Sequence, residues 1–519
     1  MEKTVFMFSE VIALATPALA LLVRNLITNE AAKLRTLLFA QLAAFTFATF
    51  GFFAVCAYSA DLQLTLFTNV LDFRLDFFAA CLLWVIAFIS SVILFYTERY
   101  MVGDSLRLRF IEHLVALSSV SSLLVVSDNL ILSLFCWHVI SIILWRLVAM
   151  RKGSAKAAQL VLNHHLVSDL LLALAVVILV SCCHTTKISH LAANVSSLSH
   201  QVELFGLGMP LHVGAAVGLL LVLSMSIKSA LFPFHRWLLA TLEAPTPLSG
   251  LLHAGVVNVS AILAARLWPV LQESTSVLTF WGVLAAVSAV AGTLIMSAQS
   301  DVKRKLVFST VGQMGFMCLQ CASGAIPAAM FHLIAHGLFK CHMFLQSGSA
   351  VSEGLLKKRW DYSNDSAIGH EIVSAKPRLQ LALAALLLVA LPLGLWLWRE
   401  HSITGETALS VLIAAAAICT SLPALKRVSF VLLFASGLAG ILLVFSSDLL
   451  AHLFDLRIAL ELNDQNWLLP FAIVVFALVG LTRYLVRGSA VGRALYVHAL
   501  NGFYVEQIAL RLKTSKETI

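Results

Sequence analysis

Runs of about 20 mostly apolar residues recur along this chain, the length a helix needs to cross the hydrocarbon core of a bilayer. Fifteen such stretches lie near 4–23, 36–58, 75–96, 110–127, 129–149, 158–181, 211–231, 248–267, 276–297, 304–322, 325–350, 378–398, 405–422, 428–446 and 467–486. The gaps between them, none longer than about 30 residues, leave no space for a soluble catalytic domain. Of the 519 residues, 60% are apolar and 12% charged, against about 45–50% and about 25% in soluble domains. Neither a P-loop nor a dinucleotide fingerprint occurs, so ATP or NADH has no recognisable route to direct use. The nine cysteines are scattered, with no metal spacing or disulfide framework. A soluble enzyme, a disordered chain and a nucleic-acid binder are excluded. The expected class is an all-α polytopic membrane protein.

The first stretch raises the question of a secretory leader, since Ala18-Leu19-Ala20 resembles a cleavage site. Glu10 inside the apolar run and a nearly uncharged start argue against it. Orientation follows from the 35 Lys and Arg residues, because basic loops resist translocation. With fifteen alternating spans, 27 of them fall on one side and six (Lys3, Arg74, Lys187, Arg266, Arg399, Arg457) on the other. That predicts an N-terminus outside and a C-terminus in the cytoplasm. Two basic residues remain, Lys228 and Lys340, and both fall inside predicted spans.

A lysine at the bilayer centre costs about 2.5–3.5 kcal/mol on insertion scales, and is tolerated where it faces protein or water and finds a partner. Held between burial and a nearby carboxylate, it can load and release a proton; the alternative is a structural pair joining two helices. The eleventh stretch carries His332, His336 and Lys340 at four-residue spacing, which puts them on one helical face. His253 lies in the eighth stretch, His164, His165 and Asp169 in the sixth, and His138 in the fifth, after Trp137 and Asp128. Histidine titrates near neutral pH, so such a series can relay protons across the midplane. His332 and His336 also read as a zinc pair, but a third ligand and a general base are missing. Pro233, Pro245, Pro247 and Pro392 predict broken helices, which fit a membrane only where protein or a water-filled cavity surrounds them.

Lys228-Ser-Ala-Leu-Phe-Pro-Phe-His-Arg-Trp237, Glu243-Ala-Pro-Thr-Pro-Leu-Ser-Gly-Leu-Leu-His253 and the stretches from Asp301 to Phe316 and His332 to Lys340 resemble the signature of the proton-conducting antiporter-like subunits. That family includes the large membrane subunits of respiratory complex I and the Mrp antiporters. The resemblance is clear from about residue 70 to 350 and implies about 14–15 transmembrane helices with two inverted five-helix repeats. The implied division is 1–108 for N-terminal helices, 109–270 and 271–425 for the repeats, and 426–519 for C-terminal helices and tail. Within the family, the Phe-His-Arg-Trp and Glu-Ala-Pro-Thr-Pro variants and the ending from Leu495 to Tyr504 look most like the DabB subunits of inorganic-carbon accumulation complexes. Their partner, DabA, is a large zinc protein resembling β-carbonic anhydrase. The resemblance implies a non-enzymatic chain without its own cofactor, whose H⁺ or Na⁺ flow energises CO2 or bicarbonate uptake by a DabA-like partner. A proton-pumping subunit of complex I or a membrane hydrogenase, and an inactive scaffold, are the alternatives.

By resemblance, Lys228 matches the central lysine of the seventh helix, His253 the Lys-or-His of the eighth, His332, His336 and Lys340 the linking residues of the eleventh, and Asp169 an acid of the sixth. Two positions depart. Where the family has Trp-Glu on the fifth helix, this chain has Trp137-His138, so the carboxylate that modulates the lysine is expected to be absent. On the twelfth, the best match for a Lys and an acid is Arg399-Glu400; arginine does not deprotonate, so either the route differs from that of the respiratory subunits or Glu400 carries the proton.

Overall fold

The computed structural model describes residues 2–58, 62–67, 71–199, 201–203, 210–363, 490–505 and 507. The last four predicted spans, and with them Arg399 and Glu400, lie outside the described residues. The chain runs through α1 (Glu2–Val23), α2 (Glu30–Tyr58), α3 (Phe77–Tyr100), α4 (Arg107–Val126), α5 (Leu130–Ala149), α6 (Ala155–Cys183), the short α7 (Leu191–Asn194) and α8 (Val213–Lys228). Then come α9 (Arg236–Ala240), α10 (Thr246–Leu251), α11 (Val259–Arg266), α12 (Trp268–Leu271), α13 (Thr275–Ala298), α14 (Val302–Ala322), α15 (Ile326–Ser363) and α16 (Ala490–Leu500).

Each of the first eleven apolar stretches becomes helix, because in lipid only a helix or a closed barrel satisfies every backbone donor and acceptor. Among the described residues, eight helices are long and apolar enough to cross a membrane. The other three stretches differ from the expected span for visible reasons. The seventh is only 16 residues long and stops at Lys228, with Pro233 five residues on. The eighth begins at Pro245-Thr246-Pro247 but breaks at a π-helical turn, Leu252–Val256, not at a proline. The tenth, α14, opens with Lys303-Arg304-Lys305, which lowers its hydropathy. In the other direction, α15 runs on past the predicted 350 to Ser363. Three helix starts carry side-chain caps: Asp76 accepts from the Ala79 amide, Asn129 from those of Ile131 and Leu132, and Asp301 from that of Arg304.

Two antiparallel hairpins were not legible from hydropathy. β1 (Leu62–Phe67) pairs with β2 (Leu71–Leu75), and β3 (Gln201–Glu203) with β4 (Pro210–His212). The first hairpin is tied to the α4–α5 junction by the bridge Phe73–Ser127, and that junction to the segment after α6 by Asn129–Lys187. Three of the six basic residues assigned to the outer side meet carboxylates here. Lys187 pairs with Asp72 at 3.1 Å, and Arg74 and Arg266 share Asp76, the second in a two-toothed contact. Asp72 also accepts from Thr65 at 2.8 Å and Asn129 at 3.0 Å. Burial pushes the Asp76 carboxyl up, but the charge and hydrogen bonds of Arg266, with Arg74 and the Ala79 amide, outweigh it and hold the acid below the usual carboxylate range. A depressed folded-state value adds stability above the unfolded Asp value, about 3.9, and loses it as pH falls through the folded value. Asp76→Asn should therefore cost about 1.5–3 kcal/mol at pH 7. The gap to wild type should shrink below about pH 4; thermal unfolding in detergent at the two pH values measures it.

α13 and α14 pack backbone to backbone, which small residues permit. A Cβ built on Gly315 would overlap the Ala289 amide nitrogen, and one on Gly292 the Gly312 amide nitrogen. Neither neighbour is a side chain able to swing away. Gly315→Val is expected to part the two helices and destabilise the fold by about 1–3 kcal/mol or more, seen as a lower yield of monodisperse protein and a lower melting temperature. This pairing bears on the site, since α14 supplies the partners of α15.

Candidate functional site

α8 ends on Lys228, so the ammonium sits at the negative end of the helix dipole, facing α5 and α6. Its side chain is fully buried. Nζ donates to the Trp137 carbonyl at 2.8 Å, Ser141 Oγ at 2.7 Å and Asp169 Oδ1 at 3.0 Å, and lies 4.7 Å from the centre of the Trp137 ring. Three acceptors for three N–H bonds complete its shell. Asp169 is shared: its Oδ1 also accepts from Ser141 at 3.1 Å, and its Oδ2 is 2.8 Å from His138 Nδ1. His165 Nδ1 approaches Ser141 Oγ at 3.3 Å, and its ring packs edge-on to Trp237 at 4.4 Å.

The expected loss of a carboxylate beside Lys228 is thus corrected. The acid stands on α6 instead of α5, and the histidine in the glutamate's place hydrogen-bonds to it. The reason is packing. α6 lies between α5 and α8, stapled by Ser168, which receives the Trp137 indole N–H at 3.3 Å and donates to the Ser224 carbonyl at 2.9 Å. The next residue, Asp169, is thereby aimed at the same gap. The His138 side chain is 45% exposed and that of Asp169 7%, so one histidine edge faces out of the described helices while the other holds the buried acid.

A second cluster forms where α15 crosses the π turn. The rings of His253 and His336 are 5.4 Å apart and those of His336 and His332 6.2 Å. A Cβ on Gly337 would sit 3.1 Å from the His253 carbonyl, so only a small residue lets α15 come this close. His332 lies between two amides of α14, with Nδ1 3.0 Å from Gln320 Oε1 and Nε2 2.8 Å from Gln313 Oε1. An amide turned end for end offers NH2 in place of oxygen, so this pair can serve the ring with one proton or two. Both His336 nitrogens and His253 Nδ1 are buried without a hydrogen-bond partner among the described residues. Lys340 is buried and donates to the Leu306 carbonyl at 3.1 Å and Ser309 Oγ at 2.7 Å; no carboxylate meets it among the described residues.

The nine residues singled out from sequence divide accordingly. Lys228, Asp169 and His138 meet in the first cluster, and His253, His332, His336 and Lys340 form the second, while Arg399 and Glu400 fall outside the described residues. Asp128 belongs to neither: it binds the amide and hydroxyl of Ser189. His164 bonds back to the Leu160 carbonyl of its own helix. Sequence reasoning missed Ser141, Gln313, Gln320 and Ser309. Ser141 follows Trp137 by four residues and so shares its face, but nothing distinguishes it from the other serines of apolar helices. Among the described residues no group of three or more His, Cys, Asp or Glu is placed to hold a metal ion.

Residues 127–393 match the family model described as NADH:quinone oxidoreductase/Mrp antiporter, transmembrane. The chain is 37% identical over 272 residues to a Halothiobacillus neapolitanus protein named as the probable inorganic carbon transporter subunit DabB1, an alignment covering 52% of this chain and 48% of that one. A Bacillus subtilis protein named as the probable inorganic carbon transporter subunit DabB is 35% identical over 286 residues, covering 54% and 55%. The chain spans about half the length of these curated relatives. In three dimensions it resembles a chain of the Mrp complex from a Dietzia species, with a TM-score of 0.62 at 19% identity, covering 99% of this chain and 60% of that one.

Proposed function

The chain belongs to the NADH:quinone oxidoreductase/Mrp antiporter transmembrane family, and on that premise we propose that it is a cation-translocating membrane subunit that energises inorganic-carbon uptake by a DabA-like zinc partner. The observation that carries the reading is the buried Lys228–Asp169 pair with His138 on the carboxylate's second oxygen. A charged pair in a bilayer is costly to keep, and one carboxylate divided between an amine and an imidazole gives that cost a use. When His138 carries a second proton, its charge competes with Lys228 for Asp169 and loosens the hold on the lysine's proton. When His138 is neutral, Asp169 belongs to Lys228 and retains it. The second cluster continues the path along α15 from His332 through His336, with His253 beside it, to Lys340, and the glutamine amides let His332 change protonation without leaving a bare nitrogen.

The lining groups favour H⁺ over Na⁺, since amines and imidazoles carry protons, whereas a hard cation requires a shell of oxygen ligands. The proposed setting is the bacterial inner membrane, with the N-terminus periplasmic, the C-terminus cytoplasmic, and the helices of 109–425 forming two inverted repeats. The zinc of the uptake reaction belongs to the partner in this reading.

Co-expression of the chain with a DabA-like protein should let a strain lacking carbonic anhydrase grow in air, and Lys228→Ala should abolish that growth. Failure of the wild-type pair would overturn the uptake reading. Growth unchanged by Lys228→Ala would make the chain a scaffold, and co-purification with iron–sulfur, quinone-reducing subunits would place it in a respiratory complex.

A further inference from the structure

Glu10, in the middle of α1, is completely buried, and neither carboxylate oxygen has a hydrogen-bond partner among the described residues. Its end rests on the backbone of α2 at Gly51, where an added Cβ would overlap Oε1 and Cδ. Gly51 is therefore a notch cut to the shape of this side chain. An ionised carboxylate in an apolar site with no donor is among the costliest groups a membrane protein can hold. Arg24, in the turn that follows α1, is engaged at 3.0 Å by Glu112.

One helical turn further along, a cavity with room for about one water opens among α1 to α4. Ala13 of α1 and Ala48 of α2 line it, each three residues from the Glu10–Gly51 contact, and Gln41, Ser118, Ser119 and Ser122 give its otherwise apolar wall a polar side. Ser118 donates to Gln41 Oε1 at 3.3 Å. The same serine-rich turn of α4 presents Ser121 to the broken helix, where a Cβ on Gly255 would lie 2.8 Å from its hydroxyl, two residues from His253. Thus α4 separates the cavity from the proposed ion path by the thickness of one helix, and carries hydroxyls on both faces.

The geometry points to Glu10 as a proton-binding carboxylic acid, seated in the Gly51 notch and reached through the Gln41–Ser118 cavity, apart from the lysine and histidine track. It takes a proton and not a metal cation: a buried acid with one cramped backbone neighbour offers no oxygen shell.

A lipid-soluble carbodiimide tests this, because it reacts with protonated carboxyls in apolar surroundings. The acid's proton moves to a carbodiimide nitrogen, its oxygen bonds to the central carbon, and an O-to-N acyl shift leaves a stable adduct. With full-length protein in lipid nanodiscs, mass spectrometry should find the adduct on the Glu10 peptide, with labelling at pH 7.5 within about twofold of that at pH 6. At an ordinary carboxyl the protonated fraction falls about 30-fold over that interval. Glu10→Gln should remove the adduct. In Gly51→Ala, where the methyl expels the carboxyl from its notch, labelling should regain the steep fall with pH. Absence of the adduct in wild type, or labelling that falls 30-fold toward pH 7.5, would overturn the assignment. Transport is not measured, so the outcome stands apart from the fate of the proposed ion path.

Discussion

Asp169→Ala is expected to abolish ion-driven uptake and to destabilise the protein in the same step. The substitution leaves Lys228 fully buried with a carbonyl and a hydroxyl as its remaining acceptors, and breaking a buried pair from one side costs about 3–5 kcal/mol. Asp169→Asn separates the two effects. The amide keeps the volume and can still accept from Nζ and Ser141, so much of the stability should return. The negative charge does not, and with it goes any competition between His138 and Lys228, so transport should stay at background. Stability is read by thermal unfolding in detergent, transport by gradient-driven uptake in vesicles. An asparagine variant transporting at the wild-type rate would show that the pair is a brace between α6 and α8 and nothing more.

Lys340→Met should give the opposite pattern, a well-folded protein that does not transport. Lys340 is as buried as Lys228, but its acceptors are the Leu306 carbonyl and the Ser309 hydroxyl. Removing this amine orphans no charge, and replacing a buried ionic group by an apolar one of similar volume is often neutral or stabilising by about 1–4 kcal/mol. The melting temperature should therefore hold or rise. Uptake should fall to background because the proton carrier at the end of the His332–His336–Lys340 face is gone. Retained uptake would take α15 out of the proposed path. The contrast follows from one structural difference: the first lysine has a counter-charge and the second has none among the described residues.

Much of this site was legible because charge in an apolar helix is conspicuous. Lys228 and Lys340 stood out as the two basic residues that no alternation of loops could place outside the membrane. The four-residue spacing of His332, His336 and Lys340 assigned a common face, and the ring separations agree with it. What stayed hidden was partnership across helices. Asp169 and Lys228 are 59 residues apart, and no spacing rule connects them. Ser141, Gln313 and Gln320 are ordinary polar residues until a neighbouring helix brings a ring or an amine to them. The β1–β2 hairpin carries a different signal, the apolar–polar alternation of Leu62-Gln-Leu-Thr-Leu66 and Leu71-Asp-Phe-Arg-Leu75, whose two-residue period does not register as a 20-residue apolar run.

The sequence by itself determined that the chain is a bundle of membrane-crossing helices, where those in its first 350 residues lie, and which titratable groups they carry into the membrane. Hydrophobic length and the cost of charge in oil are local properties, readable one segment at a time. Only the tertiary structure decided which helix supplies the acid for Lys228, that Lys340 has none among the described residues, and that the eighth span breaks at His253 and not at its prolines. Those outcomes depend on how closely helices approach, which is set by small residues such as Gly292, Gly315 and Gly337 and by packing summed over distant parts of the chain.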